Sequence, residues 1–260
     1  MKTFSVIRGL TVPANTVVTG ASSGIGLAVV QALLQRDDVA QVYAVSRHAV
    51  GSEALAALGR TYGNRLQAIS ADLTCDSDRA ALAARLRADA GELHLLFNAA
   101  GILHGPGLRP EKSITQVRLQ SLAQVFAINA FAPILLAQAL LPLMKHAQPA
   151  VLASLSARVG SIGDNQLGGW YAYRASKAAQ NQLLRTLSVE LRRTHPQLTC
   201  VLLHPGTVDT PLSQPFQAHV PEEKLFSPAR AAQQLLGIVA QVGPADTGGF
   251  FAWDRQPIPW

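Results

Sequence analysis

Tyr173 and Lys177 stand four residues apart in the run Tyr171-Ala172-Tyr173-Arg174-Ala175-Ser176-Lys177. On a helix that spacing brings two side chains onto one face, with Cβ atoms about 6 Å apart. Tyr171 has Ala175 four residues on, which singles out Tyr173. An ammonium beside a phenol favours the phenolate: at about 4 Å and an effective dielectric of about 20, the attraction is on the order of 4 kcal/mol before desolvation. One pKa unit is worth about 1.36 kcal/mol, so the pair predicts a phenol drawn from about 10 towards neutrality and able to exchange a proton at physiological pH. An isolated Y-x-x-x-K also occurs on ordinary solvated helices, so the surrounding chain has to decide.

Short β-branched or apolar runs alternate with long alanine- and leucine-rich segments, the pattern of βαβ units with a parallel sheet covered on both faces. Strands are expected near Thr16–Thr19, Gln41–Ser46, Leu66–Ser70, His94–Asn98, Ala150–Ser154, Leu198–His204 and Gly249–Trp253. Helices are expected near Ile25–Arg36, Ser52–Tyr62, Ser77–Ala90, Ile114–Leu143, Tyr171–Thr194 and Pro228–Val239. No repeat, low-complexity tract or linker divides the chain, so 1–260 reads as a single α/β domain. The irregular stretches follow strands, and in open α/β sheets the carboxyl edge is where ligands bind.

The first strand runs into Thr19-Gly20-Ala21-Ser22-Ser23-Gly24-Ile25-Gly26 and then a helix. Glycines in that setting let a backbone approach a pyrophosphate at a helix N-terminus, although the spacing is T-G-x-x-x-G-I-G and not G-x-G-x-x-G. Where an NAD-binding acid would be expected at the end of the second strand, the chain has Ser46-Arg47. A guanidinium there suits a 2′-phosphate, which favours NADP over NAD; the alternative is a surface arginine. Asp72-Leu73 follows the third strand, with Asp72 either meeting an adenine amino group or capping a turn. Asn98-Ala99-Ala100-Gly101 ends the fourth strand with small side chains, and Asn129 lies between apolar neighbours in a helix, where a buried amide must be hydrogen-bonded.

Composition narrows the remaining possibilities. Of 260 residues, 48% are hydrophobic and 15% charged, which fits a packed globular chain. The net charge of +6 is scattered with no basic run or interleaved aromatics, so nucleic acid is not the expected partner. Cys75 and Cys200 form no C-x-x-C, and the seven histidines form no H-E-x-x-H, so no metal is expected. Met1 to Pro13 lacks the apolar core of a signal sequence, and Phe131 to Met144 is interrupted by Pro133, Gln138 and Pro142, so a cytoplasmic protein without a membrane span is expected.

Taken together, TGASSGIG, Asp72-Leu73, NAAG, Asn129, YRASK and Pro205-Gly206-Thr207-Val208-Asp209-Thr210 resemble the short-chain dehydrogenase/reductase family over nearly the whole chain. The Gly160-to-Trp170 loop and the GGFFAWD ending resemble its C-factor-like and sniffer-like carbonyl reductase branch. The resemblance implies a Rossmann-type doubly wound parallel sheet, seven strands in the order 3-2-1-4-5-6-7. It also implies an NADP(H)-dependent oxidoreductase interconverting a small-molecule carbonyl and alcohol, with a dimer or tetramer as the family's usual assembly. By position, Tyr173 is the acid/base, Lys177 binds the nicotinamide ribose and lowers the tyrosine pKa, and Asn129 holds a relay water. Gly20, Ser22, Ile25, Asn98 and Gly101 line the dinucleotide, and Val208 and Thr210 contact its carboxamide end.

One position departs from the family. Three residues before Gly160, where a carbonyl-polarising serine is usual, stands Ala157, with Ser156 one position earlier. Successive strand side chains face opposite ways, so Ser156 is not automatically equivalent; Ser161, Ser154 or no serine are the alternatives. That departure keeps open a second class of function, an NADP(H)-binding regulatory or signalling protein with little turnover. The proline-rich stretch 209–227 reads as a substrate loop, with Phe216 and Phe226 as candidates for its inner surface and Trp260 as an anchor for the tail or a partner subunit.

Overall fold

The computed structural model describes residues 5–218 and 220–260. The part of the expected signal-free start at 1–4, and position 219 in the expected substrate loop, lie outside the described residues. Seven strands form one parallel sheet: β1 (Ala14–Thr19), β2 (Val39–Ser46), β3 (Leu66–Ser70), β4 (Leu95–Asn98), β5 (Ala150–Leu155), β6 (Leu198–His204) and β7 (Gly249–Ala252). Their spatial order is β3-β2-β1-β4-β5-β6-β7, as expected.

The strands are buried on both faces because their side chains alternate between two cores. Val18, Val42, Ala44, Val201 and Leu203 join the core covered by α1 (Gly24–Leu34) and α7 (Pro228–Val239), through Val29, Leu33, Leu235 and Ile238. Val17, Tyr43, Val45, Cys200 and Leu202 face the opposite core, with Leu82 and Leu86 of α3 (Asp76–Asp89) and Leu184 and Leu191 of α6 (Tyr171–Thr194). At about 1.5–3 kcal/mol for each fully buried aliphatic side chain, these two layers outweigh any helix propensity in fixing the fold. A further helix, α2 (Glu53–Tyr62), begins at a Ser52 side chain that accepts from the Leu55 N–H. Cys75 and Cys200 are both free.

The single helix expected over Ile114–Leu143 is broken into pieces. After a 3₁₀ turn at Ile114–Gln116 come α4 (Leu119–Phe126), a π-helical segment Ala127–Phe131, α5 (Ala132–Leu140) and a 3₁₀ turn Leu141–Met144. The physical reason is in the sequence: Pro133 has no N–H for the Asn129 carbonyl four residues back. The Ala132 N–H meanwhile reaches Ala127, five residues back, so the helix carries one extra residue at Asn129. Among the described residues Leu119–Met144 is the one stretch long and apolar enough to cross a membrane, with hydropathy 1.8 over its most apolar window. Leu136, Ala137 and Leu140 of its inner face belong to the α3/α6 core.

The loop after β6 is more ordered than its prolines suggest. Thr207–Val208 pairs in parallel with Leu225–Phe226, and 3₁₀ turns form at Gln214–Phe216 and Glu222–Lys224. At the chain end Trp260 stacks on Phe250 with ring centroids 5.5 Å apart, and its carbonyl accepts from Gly163 N–H at 3.0 Å, so it anchors the tail.

Candidate active site

The carboxyl ends of β1 to β6 open into one cleft of about 540 Å³. The glycine turn between β1 and α1 forms its floor. Gly20 has φ +63°, and a Cβ there would sit 2.9 Å from the Ala100 amide nitrogen; a Cβ on Gly26 would lie 2.2 Å from the Gly20 carbonyl oxygen. Only glycine lets the two turns approach this closely. Ser22 and Ile25 line the same wall, as does Gly101, where a Cβ would be 3.5 Å from Asn129 Oδ1 and 3.8 Å from Lys177 Nζ.

At the far end of the cleft, Arg47 is exposed and has no side-chain partner among the described residues, while the Ser46 hydroxyl beside it is buried and unpartnered. These two donors at the β2 edge match the chemistry of a phosphate-bearing ribose. Asp72 and Leu73 line the cleft, but Asp72 Oδ1 accepts from the Thr74 N–H at 2.9 Å and the Thr74 hydroxyl at 2.7 Å. Those bonds, with a smaller contribution from Arg47, hold the Asp72 carboxyl below the ordinary carboxylate range.

The centre of the site is the first two turns of α6. Tyr173 and Lys177 share the cleft-facing side, as their spacing requires, and are 9% and 4% exposed. Their electrostatics differ from the sequence expectation. Lys177 Nζ lies 6.0 Å from the Tyr173 ring centroid and donates instead to the Leu155 carbonyl and to Gln180 Oε1, each at 2.9 Å. Burial dominates both groups, pushing the phenol up to about 12 and the ammonium down to about 7. The protein's own groups therefore keep Tyr173 as a neutral phenol, a proton donor, and do not draw it towards neutrality.

Asn129 is fully buried in the π segment. Its Oδ1 accepts from Ile102 N–H at 2.8 Å and its Nδ2 donates to the Ile102 carbonyl at 2.8 Å and the Ser176 hydroxyl at 3.2 Å. The side chain is thus saturated, while its main-chain carbonyl lacks the usual helical donor. Asn98 is engaged within the sheet: Oδ1 accepts from Thr19 at 2.6 Å and Nδ2 donates to Ser154 at 2.8 Å, leaving the backbone of Ala99–Gly101 as the cleft wall.

Of the three candidate serines, Ser156 lines the cleft, and its hydroxyl donates to Asn181 Oδ1 at 2.6 Å. Ser154 accepts from Asn98 and Gln180 inside the sheet, and Ser161 accepts from the Asp164 N–H at 3.2 Å. Ala157 is extended, at φ −143° and ψ 144°, so it points away from its neighbour Ser156. Thr210 lines the cleft; Val208 is buried behind it, its carbonyl accepting from Ser213. Phe216 faces Trp170 with centroids 4.8 Å apart, and Trp170 in turn stands edge-on to Tyr173. Phe226 packs on Trp253 at 4.9 Å and does not line the cleft.

Three supporting residues escaped the sequence reading. His104 Nε2 lies 3.0 Å from the Pro211 carbonyl, tying the loop after β4 to the loop after β6. Glu111 caps α6 from outside: its main-chain carbonyl accepts from Trp170 N–H and its Oε2 from Ala172 N–H at 3.2 Å. Neither carries a local signal. Gln180 does, since it heads the buried stripe 180, 184, 187, 191 of α6, where a polar residue needs partners.

Fold and cleft together define the Rossmann-type class of α/β protein. The chain belongs to the short chain dehydrogenase family, whose pattern matches residues 14–221. It is 33% identical to the C-signal protein of Myxococcus xanthus over 65% of this chain and 94% of that one. An NADPH-bound carbonyl reductase from chicken fatty liver superposes with a TM-score of 0.84 at 29% identity, covering 98% of this chain and all of that one. The carbonyl reductase Sniffer of Drosophila melanogaster gives the same TM-score at 30% identity, over 96% of this chain and all of that one.

Proposed function

We propose that this protein is an NADP(H)-dependent oxidoreductase that interconverts an apolar carbonyl compound and its alcohol. The observation that carries the reading is the pairing of a buried neutral Tyr173 with Lys177 in a cleft floored by the glycine turn. Gly20, Ser22, Ile25, Gly101 and Thr210 would hold the dinucleotide along this cleft, with Asn98 and Val208 shaping its walls from behind. Asp72 and Leu73 would face the adenine. Ser46 and Arg47 would take a 2′-phosphate, a reading supported by the unpartnered donors there and by the NADPH-bound relative.

When bound, NADPH supplies the hydride that adds to the carbonyl carbon. Tyr173 gives its phenolic proton to the carbonyl oxygen as negative charge develops there, and takes it back in the reverse direction. Lys177, at the next turn, offsets the charge left on the phenolate. The Asn129 main-chain carbonyl, without a Pro133 donor, is available to hold a water that passes a proton to Lys177 as Lys177 passes one to the Tyr173 phenolate. Ser156, which lines the cleft, would polarise the substrate oxygen by turning its hydroxyl from Asn181.

Replacing Tyr173 with Phe removes the proton donor and keeps the ring. Turnover of a panel of ketones and aldehydes is expected to fall at least about 100-fold with NADPH affinity unchanged. Undiminished turnover would refute the role.

A second reading, a protein that binds NADP(H) as a signal and turns over little, is supported by Ala157 and by the commitment of Ser156 to Asn181. Tight NADPH binding with no oxidation by any member of the carbonyl panel would select it.

A further inference from the structure

Gln180 is 0% exposed, in a helix whose next buried positions are Asn181, Leu184, Leu187, Ser188 and Leu191. A buried amide is tolerated when its donors and acceptor are all used, and here they are. Nε2 donates to the Ser154 hydroxyl at 2.8 Å and to the Leu155 carbonyl at 3.2 Å. Oε1 accepts from Lys177 Nζ at 2.9 Å. The opposite amide orientation would set Nε2 against the ammonium, donor to donor, so the network fixes which end faces the lysine.

The network continues beyond Gln180. Ser154 also accepts from Asn98 Nδ2 at 2.8 Å, Asn98 Oδ1 accepts from Thr19 at 2.6 Å, and the Thr19 hydroxyl accepts from Ala100 N–H at 3.3 Å. One buried hydrogen-bonded line therefore runs from the Lys177 ammonium through α6, β5 and β4 to β1, at the root of the glycine turn.

We propose that Gln180 is a positioning residue for the Tyr173 and Lys177 pair, holding the lysine against the end of β5 by supplying the second acceptor for its ammonium form. With the Leu155 carbonyl as the first acceptor, two of the three N–H groups of Lys177 are fixed and the third is left to face the cleft. Both acceptors favour the protonated lysine, because a hydrogen bond donated by an ammonium is shorter and stronger than one donated by a neutral amine. They act against the burial that pushes Lys177 down to about 7. Tyr173 is the titratable group facing Nζ. The Leu155 carbonyl and the Gln180 amide that accept from Nζ, and Gly101 on its cleft side, are uncharged.

This inference rests on Tyr173 and Lys177 being the proton-transfer centre proposed above. The test is the pH dependence of kcat for NADPH-driven carbonyl reduction in wild type, Gln180→Met and Gln180→Glu. Losing the acceptor in Gln180→Met is expected to move the alkaline limb down by about one pH unit, about a tenfold loss of rate on that limb. A carboxylate in Gln180→Glu is expected to move the limb up by a similar amount. A merely structural role would lower the rate at every pH and leave the limb where it is. Thermal unfolding of the nucleotide-free variants gives a readout independent of turnover: the pH at which Tm begins to rise should move in the same two directions.

A limb and an onset that stay at the wild-type pH in both variants would overturn the inference. Should one variant fail to fold, the other still carries the comparison. If wild type shows no turnover, or Tyr173→Phe stays active, the reading of the proton-transfer centre fails and this inference falls with it. An inactive Tyr173→Phe beside an unmoved limb removes the role of Gln180 alone.

Discussion

At the scale of single residues, spacing is a reliable guide to which side chains meet and a poor guide to what their surroundings do to them. Tyr173 and Lys177 share a face as their four-residue separation dictates, yet the lysine turns to Leu155 and Gln180, and burial raises the phenol. Desolvation depends on what the rest of the fold packs around a pair, which four residues of sequence do not contain. The reading of Arg47 depends on its place after a strand, and the structure leaves it exposed beside an unpartnered Ser46 hydroxyl. Exchanging Ser46 for Asp together with Arg47 for Ala replaces two donors by an acceptor. The ratio of kcat/KM for NADPH over NADH is expected to fall by at least about tenfold, since a charge-assisted hydrogen bond is worth about 1.5–3 kcal/mol. An unchanged ratio would remove the 2′-phosphate reading.

Among the elements, helix and strand placement followed directly from hydrophobic periodicity where the periodicity was uninterrupted. Leu66–Ser70, Leu198–His204, Tyr171–Thr194 and Pro228–Val239 have the expected bounds. The long helix over 114–143 was misread because its apolar pattern runs through Asn129, and a π turn changes the phase of a pattern without interrupting its polarity. The stretch after β6 was legible as irregular, but the pairing of Thr207–Val208 with Leu225–Phe226 is a contact between segments that no local pattern announces. The turn between β1 and α1 is the element least able to accept a change. A methyl on Gly26 would lie 2.2 Å from a backbone oxygen, so Gly26→Ala must push the strand and helix apart. It is expected to lower stability by about 2–4 kcal/mol and to abolish tight NADPH binding, measured by denaturant unfolding and by fluorescence titration.

For the whole molecule, the two buried cores set the stability and the site draws on it. Lys177 carries a charge in the unfolded chain up to its ordinary value of 10.5, but the fold lowers it to about 7. Between those values the unfolded state binds more protons than the folded one, so stability rises with pH across that window and is level below it. Nucleotide-free wild type should accordingly gain Tm from about pH 7 to about pH 9, above which the buried Cys200 thiol, pushed up to about 12, opposes the gain, and Lys177→Met should lose the Lys177 contribution. Identical pH profiles for the two proteins would show that the fold does not depress this lysine.

The π segment has a consequence for the length of the chain itself. A π turn accommodates one residue more than the α-helix around it, and here it joins α4 to α5. The extra residue falls at Asn129, whose fully buried amide is bonded to Ile102 and Ser176, so shortening the chain by one residue here would rotate that amide away from its partners as well as shorten the helix.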